Sequence, residues 1–424
     1  MPTDPSFSPT AFNCPHCQAP VPGYDLSESS YFCCGQCYTY FLYGDTGPQR
    51  IIMAFPPMPT PPALPLGAEG YIDSKWVRVT GYLRKREIQY EESWMEYVLM
   101  TKEGPHQMLA EFRGHWMLVR SVDETYTEKQ NAKVSDQDRE YALYNRYNCL
   151  ILNAVGEFYW NIVDDTELTI SEYIHPPYLV SREASSQKTE CYKAEYKTPQ
   201  DISKAFGLAD AALPNPVGVG AIQPNPAVEK REPAIWLTTR LALLIVAVQV
   251  LFYFLKPQKT LLNQEFTWNS DSTVQSRAQP IVSPSFDIDG PAAVAIQLKV
   301  NVDNNWLELP VSLINESTNQ SYEFTRIVEY YHGVEYGESW QEGAQDDEAI
   351  LSRIPSGRYH LNLYPSSEGK NRVVFQLKVI QNPILYSNLF IMLALLAIYP
   401  IILFFQRNLF EQKRWAESDF GPTG

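Results

Sequence analysis

The stretch AIWLTTRLALLIVAVQVLFYFL, residues 234–255, stays apolar on every face for 22 residues. A helix rises about 1.5 Å per residue, so about 20 such residues match a hydrocarbon core about 30 Å thick. A helix at the surface of a soluble domain keeps one polar face; this stretch has none. Its single charge, Arg240, lies near the start, where a long side chain reaches an interface. Trp236 and Tyr253 stand near the two ends, as interfacial aromatics do. A second run, ILYSNLFIMLALLAIYPIILFF, residues 384–405, is uncharged over 22 residues and contains Pro400, which predicts a kink that membrane helices tolerate. The two runs predict an integral membrane protein whose remaining mass falls into three parts.

Working outward, Lys230, Arg231 and Arg240 gather at the start of the first run, and Arg407, Lys413 and Arg414 follow the second. Only Lys256 and Lys259 oppose them. This asymmetry places both termini, including the tail 406–424, in the cytosol. Residues 1–10 have neither the basic nor the apolar region of a cleavable secretory leader. Segment 256–383 is then expected outside the cytosol. It contains no cysteine, and its runs at 293–302, 306–313, 321–329, 358–364 and 372–380 alternate like strands of a β-sandwich.

The net charge is −15, which argues against nucleic acid as a partner, since phosphate contacts need a basic surface. It also gives no attraction to anionic lipid, so attachment to a bilayer must come from the inserted helices. Five of the seven cysteines lie between Cys14 and Cys37, unlike a secreted disulfide framework. Cys14-x2-Cys17 and Cys34-x2-Cys37 are separated by sixteen residues. Each knuckle holds two thiolates in one tight turn, and two knuckles complete a tetrahedron, so residues 11–40 are predicted to be a zinc ribbon. So short a segment gains its folding energy from the metal. Cys33 is an alternative to Cys34 as third ligand, and His16 reads as a solvated knuckle residue. Four thiolates also suit iron.

Residues 41–66 hold six prolines between 56 and 65, which predicts a stiff linker; residues 209–233 predict another. Between them, 67–208 carry strand-like runs at 76–82, 94–100, 107–112, 115–120, 147–152 and 157–163, an antiparallel β domain whose tryptophans 76, 94, 116 and 160 read as core. Thr198, Pro199 and Gly207 predict a short capped helix at its end. The fold class is therefore multidomain and mainly β: a zinc ribbon, an antiparallel β domain, and two transmembrane helices flanking a β-sandwich. No nucleophile elbow, phosphate loop, dinucleotide fingerprint or H-E-x-x-H is present.

Residues 66–208 resemble the bacterial DUF4178 family. The resemblance rests on the stretch from Lys75 to Tyr82, on Trp94 to Leu99, on Gly114 to Val119, on Gly156-Glu157-Phe158-Tyr159-Trp160, on Glu172-Tyr173-Ile174-His175-Pro176-Pro177-Tyr178-Leu179, and on the tail from Phe410 to Asp419. It implies a bacterial inner-membrane protein with a role in envelope stress or membrane maintenance, and it carries over no catalytic residue. The expected function is a non-enzymatic membrane scaffold or sensor that links a protein partner in the cytosol to the envelope. The alternative is an enzyme or enzyme accessory that acts on a small substrate through Glu96, Glu157 or Glu172 with Tyr97 or Tyr173.

Overall fold

A computed structural model describes residues 9–90, 92–102, 104–124, 126–129, 132–136, 138–185, 188–269, 280–368 and 372–421. Residues 1–8, Glu103 of an expected turn and residues 422–424 of the expected tail lie outside these. The chain divides into two compact units, 1–233 with 401–424, and 234–400.

The first unit begins with β1 (Thr10–Asn13), β2 (Pro20–Gly23), β3 (Tyr31–Cys33), β4 (Thr39–Gly44) and β5 (Gly47–Ala54). It continues with β6 (Glu69–Ile72), β7 (Lys75–Glu87), β8 (Ser93–Thr101), β9 (Gln107–Phe112), β10 (His115–Val122), β11 (Lys133–Ser135), β12 (Glu140–Phe158), β13 (Thr169–His175), β14 (Tyr178–Ala184) and β15 (Thr189–Lys197). Eight of these close on themselves in the order β12-β13-β14-β15-β10-β9-β8-β7, each pairing antiparallel, with β7 returning to β12. The antiparallel β domain is thus a barrel. Closure removes the exposed sheet edges that would otherwise recruit other chains.

The barrel closes tightly at a glycine pair, Gly81 opposite Gly156. Gly156 has φ +100°, and a Cβ there would sit 2.4 Å from the Thr80 carbonyl oxygen. Only glycine permits this approach.

Much of the apolar packing lies outside the barrel wall. Val79, Tyr97, Leu99, Leu109 and Trp116 face outward from β7 to β10 and are covered by Leu64, Ile202 and Leu213. Tyr141, Leu143, Tyr173 and Val180 are covered by Tyr126 and Val134. The first proline-rich segment is therefore not a free spacer. Its Ala63 N–H donates to the Tyr97 hydroxyl, and the Pro56 and Pro57 carbonyls accept from Asn153. Residues assigned to the start of that linker form β4 and β5 instead. The expected strand at 157–163 ends at Phe158, and residues 162–167 form a 3-10 helix. Helix α1 (Pro199–Phe206) forms as expected: Thr198 and Asp201 make a reciprocal cap, and Gly207 closes it in the left-handed conformation at φ 65°.

Helices α2 (Pro226–Leu255) and α3 (Tyr386–Trp415) each run 30 residues and are long and apolar enough to cross a membrane. Both exceed the 22 residues of their apolar runs, α2 beginning at Pro226 and α3 continuing to Trp415. Between them, two sheets pack face to face. One has the spatial order Lys259–Asn269, Arg372–Gln381, Ala292–Val300, Asp346–Ile354; the other has Ile281–Val282, Gly357–Leu363, Asn305–Asn315, Ser321–Glu335, Glu338–Gly343. Alternate residues of both, among them Val294, Leu309, Leu361 and Phe375, form one core, the arrangement of a β-sandwich.

Candidate functional site

Two sites stand out in the first unit. In the ribbon, the Sγ atoms of Cys14, Cys17, Cys34 and Cys37 lie within 4.8 Å of one another. Cys14 to Cys37 and Cys17 to Cys34 are both 3.7 Å. A tetrahedron with metal–thiolate bonds of about 2.3 Å has edges of about 3.8 Å, so the four sulfurs are placed to hold one metal ion. In each knuckle the N–H two residues on (His16, Gln36) points at the first sulfur, 3.4 Å in both. His16 is exposed and lies outside the set. Cys33 lies outside this group: its thiol donates to the Ala154 carbonyl at 2.9 Å, among Tyr40, Leu83 and Phe158.

The ribbon is joined to the barrel. Strand β3 pairs with the end of β12. The Glu157 carboxylate, fully buried, accepts the backbone N–H of Tyr24 (2.8 Å) and Asp25 (3.0 Å). Burial pushes its pKa up to about 8, with those two donors opposing. Glu157 therefore serves this seam and does not line the barrel interior.

The second site is the barrel interior, a cavity of about 730 Å³. This is within the ordinary range for small-molecule sites, about 300–1,000 Å³. Toward one end the Lys85 ammonium lies 3.0 Å from both Glu96 and Asp165. Burial works against the Lys85 charge, but Asp165 and Glu96 together hold its pKa well above the ordinary lysine value. Trp94 donates its indole N–H to Glu96 (2.7 Å) and Trp160 to Asp165 (2.9 Å), so both acids have a cation and a neutral donor. Beside them the Tyr147 hydroxyl donates to Glu172 at 2.9 Å, and the Tyr147 ring meets Trp94 edge to face at 5.6 Å. Glu183 and Tyr192 complete this end. Burial pushes the Glu172 and Glu183 carboxyls up to about 7.

The interior thus brings together Glu96 and Glu172 of the expected acidic set, but not their expected tyrosine partners. Tyr97 and Tyr173 point outward into the two apolar covers. Their lumenal counterparts are Tyr147 and Tyr192, which alternation would have marked had the interior been known to be polar. Trp94 and Trp160 likewise line the cavity, whereas Trp116 is core.

The other end of the cavity is rimmed by residues 217–222 and Glu417. His115 bonds the Tyr196 hydroxyl (3.0 Å) and the Val217 carbonyl (3.3 Å). Arg414, 0% exposed, donates to the carbonyls of Gly220 (3.1 Å), Ala221 (2.6 Å) and Gln223 (2.6 Å) and to Glu411. The Tyr144 hydroxyl donates to the Arg414 carbonyl at 2.8 Å, and Asn225 donates to the Arg407 carbonyl and to Glu411. Arg113 pairs with Glu92 and Glu417 across the rim. The rim is therefore built from the strap that leads into α2 and from the end of α3. The second proline-rich segment is part of it and not a spacer.

Residues 65–199 match the family described as Domain of unknown function (DUF4178), and the chain is a DUF4178 domain-containing protein. No curated protein matches it. Among solved structures it is similar to infectious bursal disease virus Gt strain, at 9% identity over 88% of this chain and 70% of that one, with TM-score 0.18. It is also similar to the infectious bursal disease virus VP2 subviral particle, at 9% identity over the same shares, with TM-score 0.19. Likeness at such TM-scores carries no argument about fold or function.

Proposed function

We propose that this chain is a membrane-anchored sensor of bacterial type. A small molecule held in the barrel interior changes the strap at 217–225 and the segment at 411–419, and a cytosolic protein partner reads the change. The observation that supports this is the make-up of the rim: one wall of the cavity continues directly into α2, and another follows directly from α3. In this reading the two helices cross the bacterial inner membrane, both termini are cytosolic, and residues 256–383 face the envelope. A role in membrane stress or maintenance accords with it. The four-thiol site holds zinc as a structural ion, since four protein ligands leave no open position for substrate, and Cys14, Cys17, Cys34 and Cys37 orient the ribbon on the barrel.

The test fills the cavity of the full chain in nanodiscs with Ser181→Phe, a substitution on the interior face of β14, and measures hydrogen exchange. Altered protection at 217–225 and 411–419, with barrel amides still protected, supports the sensor. Unchanged protection at both segments sinks it. Protease protection of a tag within 256–383 on sealed vesicles checks the topology: cleavage from the cytosolic side overturns it. A second reading, an enzyme acting on a small substrate, is favoured by Glu96 and Glu172 sharing one cavity. It predicts turnover abolished by Glu172→Gln with ligand binding retained.

A further inference from the structure

The described lining of the barrel interior carries ten carboxylates against three permanent cations, Lys85, Arg113 and Lys188. All three cations are engaged. Arg113 sits at the rim with Glu92 and Glu417, Lys188 pairs with Glu190, and Lys85 holds Glu96 and Asp165. Of the lining acids that no ion pair holds, two lie side by side on adjacent strands, Glu172 and Glu183. The Glu172 carboxylate has only the Tyr147 hydroxyl, and among the described residues the Glu183 carboxylate makes no hydrogen bond or ion pair. Their placement is fixed by register: Glu172 lies opposite Ser181, and Glu183 is two residues further along β14, so both project from the same face of adjacent strands. Aromatic faces flank them, with Tyr192 opposite Ser181 on β15 and the Tyr147–Trp94 pair across β12 and β8.

Such a lining repels anions. A neutral ligand would leave the two carboxylates uncompensated, which is costly away from bulk water. The volume far exceeds what one bare ion fills, and the carboxylates are interleaved with rings whose faces attract cations. Resting on the reading of this cavity as the sensory site, we propose that it binds an organic cation, with an ammonium group between Glu172 and Glu183 and a small apolar or aromatic body against Trp94, Tyr147 and Tyr192. The raised pKa values of Glu172 and Glu183 agree: burial pushes both up, with no cation opposing it at Glu172 and only Lys85, already bonded to Glu96 and Asp165, opposing it at Glu183.

The experiment titrates the full chain in nanodiscs at pH 8 by calorimetry with 2-phenylethylammonium, 2-phenylethanol, 3-phenylpropanoate and calcium ion. The ammonium is expected to bind about tenfold or more tighter than the alcohol, with no binding of the carboxylate. Glu172→Gln/Glu183→Gln should remove that preference and leave the alcohol unaffected. Should that pair fail to fold, Ser181→Phe must abolish ammonium binding. Equal binding of ammonium and alcohol overturns the ligand class while leaving the cavity a binding site. Calcium bound more tightly than the ammonium, or no probe bound, also overturns it. The exchange measurement on Ser181→Phe judges the sensor reading separately, since it needs no ligand.

Discussion

Replacing Lys85 by methionine should destabilise the barrel more than any other single change in its interior. The Lys85 side chain is 4% exposed, and its partners Glu96 and Asp165 are 12% and 9% exposed, each 3.0 Å away. Taking water from three charges is expensive, and their mutual attraction offsets that cost only while all three are present. Methionine fills the stem but leaves two carboxylates facing each other without a cation. Removing one partner of such a buried set costs about 3–5 kcal/mol. For a unit of this size each kcal/mol lowers the midpoint by about 2–4 °C, so the barrel transition should fall by about 6–20 °C. The assay is thermal unfolding of the full chain in micelles at pH 8, followed through the near-ultraviolet signal of Trp94 and Trp160, which report locally. In the parent chain the Lys85 contribution is present throughout the neutral range. Its pKa is raised on folding, so the contribution is lost only as the pH climbs through that raised value. In Lys85→Met the deficit should narrow as the pH falls toward about 4, where carboxyls take up protons. The triple variant Lys85→Met/Glu96→Gln/Asp165→Asn should recover most of the loss, because amide oxygens still accept the two indole N–H groups. A Lys85→Met shift below about 2 °C, under 1 kcal/mol, or a triple variant as unstable as the single one, would refute the reasoning.

Other expectations follow from the same geometry. Cys34→Ser should abolish stoichiometric metal, measured by elemental analysis, whereas Cys33→Ser should retain it; the reverse result reassigns the third ligand. Gly156→Ala should cost about 2 kcal/mol or more in denaturant unfolding, since it forces a side chain onto the Thr80 carbonyl at φ +100°. Arg414→Met removes three charge-assisted bonds to the strap and should raise amide exchange at 220–225 by about a hundredfold, roughly 3 kcal/mol; unchanged exchange would mean that the strap is held by other contacts. Because burial raises Glu157 to about 8, its contribution is full below the unfolded value of about 4.3 and declines as the pH rises toward 8. Stability of the ribbon–barrel seam should therefore fall as the pH rises from about 4.3 to about 8, and Glu157→Gln should flatten that fall.

Several features were legible in the residues. The cap Thr198, Pro199 and Gly207 specified α1, the knuckle spacing specified the thiol cluster, and uninterrupted apolarity specified the two long helices. Strands β7 to β10 announced themselves through alternating aromatic and aliphatic residues, because one face meets an apolar cover. Strands β13 to β15 did not, because acids, Glu172, Glu183 and Glu190, interrupt their lumenal faces. Alternation reveals two faces but not which one is enclosed. Closure depends on the pairing of β7 with the far end of β12, a contact between distant residues that no local pattern encodes. The proline segments misled for a related reason: proline density reports stiffness, and the partners that lay the first segment on the barrel, Asn153 as donor and the Tyr97 hydroxyl as acceptor, lie far along the chain.

The rim has a consequence for biosynthesis. The last barrel strand ends at Lys197, but Arg414, which bonds Tyr144 from 270 residues away, leaves the ribosome much later. At about 5–20 residues per second, the nascent barrel stands with one mouth uncovered for about 10–45 s. During that interval its acidic interior is open to anything small enough to enter, and a chain that stops early keeps this vulnerable form for good. The finished rim thus acts as a record that synthesis has run to the end of α3.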